Sequence, residues 1–336
     1  MILVTGATGI LGRVIVLDLL KKGKKVRATK RPNSNLQEVR QSYRFYTDTP
    51  DFFFDKIEWV TIDFSDQKGL QQILVGVEEV YHTAAKVSFH PKDEKELYKT
   101  NIEGTKALLY ACEGSLVKKF CMVSSIAVLD GLNEEGLVDE DSDFNPKLEH
   151  GAYAISKQLS EMEVWRASAE GLNVVIVNPG MIIGTGNWQQ SSGELFSRFE
   201  KDSYTFSGGT SYVDVRDVAQ ISIRLMEENV FGERFIIVSE SLPYAEIGGQ
   251  VRKRLGLKPQ TILSKFQLNV AWWLNNLLGW LVPPLRIVTK RNIQSITTLN
   301  TISAQKIIER LNFNFISVKD SIAFHLENYL QDQKEK

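Results

Sequence analysis

The feature that most constrains this chain stands at its start. Thr5-Gly6-Ala7-Thr8-Gly9-Ile10-Leu11-Gly12 follows the β-branched run Ile2–Val4 at once and leads into a helical pattern. Glycines at 6, 9 and 12 allow a tight strand-to-helix turn and a close backbone approach to a diphosphate. The helix start adds free N–H groups and a partial positive charge, both suited to an anion. The spacing is GxxGxxG rather than GxGxxG, and three glycines alone would say little. The strand before them and the helix after them make a dinucleotide cradle, with Gly6, Thr8, Gly9, Ile10, Leu11 and Gly12 as candidate contacts.

The next 170 residues alternate short β-branched runs with longer helical patterns. Ile2–Val4, Val26–Thr29, Trp59–Ile62, Glu79–His82, Phe120–Val123 and Asn173–Val177 read as strands, and Ile10–Lys22, Glu94–Glu113 and Tyr153–Glu170 as helices. This alternation predicts an α/β fold, a Rossmann-type doubly wound parallel sheet covered on both faces. Residues 32–56 are long for a connection and rich in aromatics, which predicts a helix plus an ordered excursion. After Pro179 the alternation weakens. The expected division is a dinucleotide-binding domain at 1–180, with 210–240 returning to it, and a smaller C-terminal substrate-binding lobe at 181–209 and 241–330. Tyr212–Val218 and Arg234–Val238 are expected in the main sheet, and Gln331–Lys336 as a frayed polar tail.

Composition narrows the function classes. Forty basic against 41 acidic residues give a net charge of −1, with no general pull toward nucleic acid or acidic membranes. Cys112 and Cys121 form no CxxC pair, so they read as buried thiols in a reducing, cytoplasmic setting. The strand-like opening Met1-Ile2-Leu3-Val4 predicts no cleaved leader. Histidines 82, 90, 150 and 325 lack ligand spacing, so no metal is expected. Phe266–Leu285 carries no charge and contains Trp272, Trp273 and Trp280. A membrane span needs about 20 mostly apolar residues, and Gln267, Asn269, Asn275, Asn276 and Pro283-Pro284 interrupt this run. The expectation is no span but an apolar helix forming a pocket wall or dimer contact. The alternative is a surface that receives an apolar substrate or rests on a membrane.

The second strand speaks to the cofactor. An acid at its end would bond an NAD ribose hydroxyl, whereas a nearby arginine accommodates a 2′-phosphate. Here the run ends Val26-Arg27-Ala28-Thr29-Lys30-Arg31. Arg31 offers a planar fork and Lys30 a point charge, favouring NADP(H) over NAD(H).

Tyr153-Ala154-Ile155-Ser156-Lys157 puts a phenol and an ammonium on one helix face. With 10 tyrosines in the chain, such a pair arises readily by chance. Its chemistry gives it value. A free phenol titrates at about 10, and bringing it to about 7 takes about 4 kcal/mol of preference for phenolate. A lysine cation and an oxidised nicotinamide would share that load. Ser124-Ser125, after the strand Phe120–Val123, supplies a hydroxyl for a substrate oxygen at the edge where the dinucleotide would lie.

Taken together these motifs resemble the extended short-chain dehydrogenase/reductases, the NAD-dependent epimerase/dehydratase superfamily. TGATGILG, Ile62-Asp63-Phe64, His82-Thr83-Ala84-Ala85, Asn101-Ile102-Glu103-Gly104-Thr105, Val123-Ser124-Ser125, YAISK, Asn178-Pro179-Gly180 and Tyr212–Ala219 fall in the family's order. Asn300–Leu311 resembles its late helix. The resemblance implies that Asp63 and Phe64 meet the adenine and that Ala84 and Ala85 line the cofactor groove. It makes Ser125 the substrate-orienting serine, with Ser124 as the fallback, and Tyr153 the acid/base. Lys157 would bind the nicotinamide ribose and lower the tyrosine pKa, while Asn178 and Pro179 pass near the nicotinamide. Asn101, Thr105 and His82 would hold the scaffold, and Asp214 and Asp217 would join the lobes. Helices Glu94–Glu113 and Tyr153–Glu170 resemble those that pair family dimers, so a homodimer is implied.

VRATKR resembles the second strand of dihydroflavonol 4-reductases, and HTAAKVSF resembles that group and the 3β-hydroxysteroid dehydrogenases. Sugar-nucleotide epimerases usually carry an arginine just before the tract matching Tyr212–Val218, where this chain has Gly208-Gly209-Thr210-Ser211. The resemblance therefore implies reversible reduction of a ketone or aldehyde on a largely apolar small molecule received near Phe266–Leu285. Epimerisation or dehydration of a nucleotide sugar with tightly bound NAD is the alternative, and a non-catalytic NADP(H)-sensing module a remote one.

Overall fold

The computed structural model describes residues 1–188, 191–278 and 290–335. The chain lays down β1 (Ile2–Thr5), β2 (Val26–Lys30), β3 (Glu58–Thr61), β4 (Glu79–His82), β5 (Lys119–Val123) and β6 (Asn173–Pro179). Then follow β7 (Met181–Ile183), β8 (Tyr204–Phe206), β9 (Gly209–Asp214), β10 (Glu233–Ile237), β11 (Glu240–Pro243) and β12 (Thr261–Leu263). Seven strands make one parallel sheet in the order β10-β6-β5-β4-β1-β2-β3.

The strands are apolar on both sides because both sides are covered. Ile2 and Val4 enter one buried cluster while Leu3, between them, enters a second. In β6, Val175 and Val177 go to the first cluster, and Val174 and Ile176 to the second. That is the two-residue alternation of a strand with helices packed on each face. The strand order reverses between β1 and β4, which opens a crevice at their carboxyl ends.

The 32–56 excursion is ordered as a helix at Leu36–Ser42, a short 3-10 turn at Tyr43–Phe45 and a helix at Pro50–Phe54. Its anchor is Arg13, a fully buried cation on the helix Ile10–Lys21. The guanidinium grips both Glu38 carboxylate oxygens at 2.7 and 2.8 Å. It also donates to the carbonyls of Thr8 and Gly9, so one side chain ties the glycine turn to the excursion. Glu38 Oε1 accepts in addition from the Asn187 N–H at 2.8 Å.

Three expectations need correction. Tyr212–Val218 does not join the main sheet: β9 pairs with β7 and β11 in a separate three-stranded sheet. The cause is Asp214, whose carboxylate caps the helix Val215–Glu227 by accepting from the Arg216 N–H, so the chain turns helical there. Arg234–Val238 does return, largely as β10. The late helix begins at Gln305 rather than at residue 300, because Val138 hydrogen-bonds across to Thr301 and Ser303 and holds that stretch extended. Gln331–Lys334 is not frayed, since the helix Val318–Lys334 runs through it, and Lys336 lies outside the described residues. Arg44 grips Asp332 and Glu335, and the Trp188 indole N–H donates to Asp332.

Cys112 and Cys121 are free and buried, and burial pushes both thiols up to about 12, which leaves them unreactive. The uncharged run starts as the helix Lys265–Leu278, while Trp280 and Pro283-Pro284 lie outside the described residues. Among the described residues no helix is long and apolar enough to cross a membrane.

Removing Arg13 leaves the Glu38 carboxylate and two carbonyls without their donor. Arg13→Met is therefore expected to cost about 3 kcal/mol of unfolding free energy, measured by urea titration. A loss below about 1 kcal/mol would show that the pair carries no structural load.

Candidate active site

The site gathers where β1, β4, β5 and β6 end. After β1 the chain turns at Gly6, whose φ of +68° lies in the left-handed region. A Cβ there would come within 2.7 Å of the Ala84 backbone, so only glycine allows the loop after β4 to pass this close. The helix Ile10–Lys21 then starts at Gly9 with no side-chain cap and no acid in its first turn. Its first N–H groups are thus left for a ligand, and anionic oxygens suit them. Two orphaned polar atoms lie along the same strand ends: Ser124 Oγ and Asn178 Oδ1 are buried without a hydrogen-bond partner. Glycine turn, uncapped helix and orphaned atoms fit a dinucleotide.

The other candidate cofactor contacts spread along this edge. Thr29 Oγ1 accepts from the Gly6 N–H at 3.3 Å. Lys30 Nζ reaches Thr61 Oγ1 at 3.3 Å. Arg31 is exposed, and its guanidinium has no carboxylate partner among the described residues. Asp63 follows β3 with one carboxylate oxygen held by the Ser65 N–H and hydroxyl, which lowers its pKa. Phe64 packs on Gly104 and meets the His82 ring edge-on. Ala84 and Ala85 are half-buried beyond β4, and Pro179 closes β6.

The helix Ala152–Ala169 carries Tyr153 and Lys157, one turn apart. Lys157 is buried, and its Nζ donates to the Val123 carbonyl at 2.7 Å. Burial pushes its pKa down to about 8, against the opposing pull of the Glu161 carboxylate. Ser125, the residue that opens the short turn Ile126–Val128 after β5, stands near enough to the Tyr153 phenol to oppose the rise in its pKa, while its hydroxyl accepts from the Ala127 N–H at 3.2 Å. The structure therefore brings Ser125, Tyr153 and Lys157 together. It does not reproduce the lowered phenol pKa in the chain alone, since burial raises Tyr153 and only Ser125 opposes it. The Lys157 ammonium is turned onto a carbonyl instead.

Two supporting groups escaped sequence reasoning. Glu161 stands one turn beyond Lys157, fully buried, and accepts from Asn178 Nδ2 at 2.7 Å. The same Asn178 nitrogen donates to the Ser125 carbonyl at 3.0 Å, and Arg234 lies 3.2 Å from the other Glu161 oxygen. The i, i+4 spacing from Lys157 was the available signal. The second is Phe89, exposed, whose ring meets Tyr153 edge-on at 5.9 Å.

Asn101, Thr105 and His82 form one hydrogen-bond chain. Asn101 sits in a π turn, Tyr98–Glu103, of the kind that frees a helical carbonyl. That carbonyl accepts from Thr105 Oγ1 at 2.6 Å and from Ser160 Oγ at 2.7 Å. Asn101 Nδ2 donates to Ser156 Oγ and to the Lys86 carbonyl. Because Thr105 spends its proton on Asn101, its oxygen accepts from His82 Nε2 at 2.9 Å. His82 Nδ1 then accepts from Thr5 Oγ1 at 2.8 Å. The relay ends at the glycine turn, and burial pulls His82 down to about 3, so the ring is neutral.

Comparisons with known proteins identify the family and the fold. The model of the NAD dependent epimerase/dehydratase family matches residues 2–238. Sterol demethylase protein B of Methylococcus capsulatus is 30% identical over 268 residues, covering 77% of this chain and 77% of that protein. Dihydroflavonol 4-reductase of Arabidopsis thaliana is 26% identical over 266 residues, covering 75% of this chain and 68% of that one. The solved structure of gox2253 shares the fold with a TM-score of 0.81 at 24% identity, covering 99% of this chain and 98% of its own.

A histidine held neutral in the fold but free to charge when unfolded stabilises the protein fully above about pH 6.5 and loses that contribution as pH falls toward the folded pKa. The stability advantage of the natural chain over His82→Gln should therefore shrink between pH 7 and pH 5 in urea titrations. A difference constant over that window would mean that His82 takes up protons alike in the folded and unfolded chain, against the buried neutral ring.

Proposed function

The chain belongs to the NAD dependent epimerase/dehydratase family, and from that premise we propose that it reduces a ketone or aldehyde to an alcohol with NADPH. The carrying observation is the grouping of a buried Tyr153 phenol, the nearby Ser125 and the buried Lys157 one helical turn from Tyr153. A reduced nicotinamide supplies a hydride to a carbonyl carbon. Tyr153, whose phenol burial keeps protonated, gives its proton to the carbonyl oxygen, and Ser125 donates a hydrogen bond to that oxygen. Lys157 then stabilises the phenolate. The raised phenol suits reduction, where an acid is needed at the outset.

The cofactor half is residues 1–180 with the helix Val215–Glu227 and β10, and the substrate half takes the rest of 181–330, since Gly209–Asp214 pairs within the smaller sheet. Lys30 and Arg31 at the end of β2 favour a 2′-phosphate, hence NADP(H). Gly6 to Gly12 cradle the diphosphate, Asp63 and Phe64 meet the adenine, and Ala84, Ala85, Ser124, Asn178 and Pro179 line the nicotinamide end. Exposed Phe89 against the Tyr153 ring favours a largely apolar substrate. Exposed Tyr110, Leu159 and Met162 on the two central helices favour a homodimer. The relatives named dihydroflavonol 4-reductase and cinnamoyl-CoA reductase support a reductase.

The test is NADPH oxidation across a panel of apolar ketones and aldehydes. On any substrate found, Tyr153→Phe is expected to leave NADPH binding nearly intact and to lower kcat by at least about 100-fold. Full activity of that variant overturns the assignment. Co-purified NAD+ with turnover of nucleotide sugars and no net NADPH loss would replace reduction by epimerisation or dehydration.

Thermal shift with each nucleotide examines the preference separately. NADP(H) is expected to raise Tm more than NAD(H), and Arg31→Ala is expected to remove most of the difference. Equal shifts in the natural chain would overturn the NADP(H) reading.

A further inference from the structure

The near-zero net charge conceals a segregated one. From Ile247 to Ile308 the sequence contains no aspartate or glutamate but nine lysines and arginines. Lys253, Arg254, Lys258 and Lys265 in this stretch are exposed, and none has a carboxylate partner among the described residues. Cations elsewhere commonly do, as with Arg27 and Glu58, Arg166 and Glu170, and Lys22 and Glu227.

Lys265 opens the helix Lys265–Leu278 directly after β12. Along its first turns Phe266, Val270 and Trp273 follow i, i+4, i+7 spacing and share a face. They are 76%, 42% and 59% exposed, an unusual state for large apolar side chains at helical spacing. An open groove of about 390 Å³ runs along this face, lined by those three with Asn269 and Trp272. Ile262 in β12 adds another exposed apolar side chain, 53% accessible. Aromatics on one helix face, with exposed unpaired cations close by in sequence and no acid for sixty residues, match what a helix lying in a bilayer interface requires. The cations attract acidic headgroups and the aromatics enter the headgroup boundary.

We propose that this face docks the protein peripherally on an anionic phospholipid surface, with Phe266, Val270 and Trp273 inserted and Lys253, Arg254, Lys258 and Lys265 on the headgroups. Charge complementarity selects the occupant, because a neutral apolar partner gives no reason for excluding every carboxylate from so long a stretch. The helix lies on the membrane and does not span it. The inference stands apart from the carbonyl chemistry, since it uses no residue of the nicotinamide site.

The experiment is co-sedimentation of the full chain with phosphatidylcholine vesicles, with and without phosphatidylglycerol, at low and high salt. Association state is followed by light scattering and folding by thermal melting. The expected result is pelleting with phosphatidylglycerol vesicles only, weakened by salt as screened surface charges require. Phe266→Ser with Trp273→Ser should weaken vesicle binding by about tenfold or more at an unchanged Tm. Lys258→Glu with Lys265→Glu should remove the dependence on acidic lipid. Failure to pellet with either vesicle overturns the proposal, as does pelleting to which the serine and glutamate variants are indifferent. A dimer that the serine variants convert to monomer, without vesicle binding, also overturns it and assigns the face to a second copy of the chain.

Discussion

The active site's geometry depends on one backbone carbonyl, that of Asn101. It lies inside the π turn Tyr98–Glu103 and accepts from the Thr105 hydroxyl and from the Ser160 hydroxyl, whose proton it shares with the Ser156 carbonyl. From there the protons are ordered in one direction, Thr105 onto Asn101, His82 onto Thr105, and Thr5 onto His82. The relay thus links the helix that carries Tyr153 and Lys157 to the strand that ends in the glycine turn. Packing alone would let these elements slide by fractions of an ångström. A buried polar chain resists such sliding because each donor left unmet costs about 1–3 kcal/mol.

The two sides of the site are braced differently. On the Tyr153 side the braces are uncharged relays plus Glu161, which holds Asn178 and through it the Ser125 carbonyl. On the side of the glycine turn the brace is ionic, with Arg13 tying Thr8 and Gly9 to Glu38. The difference follows from what each side must do. A cradle for an anion gains from a nearby buried cation, even one largely neutralised by its partner. A proton-transfer site gains from groups whose protonation is fixed, and His82, locked neutral, is such a group.

Much of the fold was legible because its signals are local. Strand periodicity placed the six leading strands nearly to the residue, and the glycine turn announced the crevice. Misreadings arose where a single side chain redirected the backbone or a distant segment captured it. Asp214 ended a strand that hydrophobicity alone would have continued into Val215 and Val218. Val138, more than 160 residues away in sequence, held Thr301–Ser303 extended, and Arg44 secured a tail whose composition reads as frayed. In the site, Tyr153 and Lys157 could be paired from their spacing, whereas Ser125 was separated from Ser124 only by the family resemblance. The buried pair of Arg13 and Glu38 could not, because nothing in a cation 25 positions from an acid marks it as paired.

The electrostatics of Tyr153 and Lys157 were the least legible part, and the reason is general. Sequence reasoning counts the charges that attract, and the fold adds the desolvation that opposes both. Burial raises the phenol and lowers the ammonium, so each is pushed toward its neutral form before any ligand arrives. At about 8, Lys157 still keeps most of its charge at neutral pH, held on the Val123 carbonyl. A further positive charge beside Tyr153 would favour phenolate, and an oxidised nicotinamide carries one while a reduced nicotinamide does not. In the proposed reaction the phenol would then serve as an acid when the cofactor holds a hydride and as a base when it does not. Coupling of that kind lets one side chain serve both directions without any change in the protein around it.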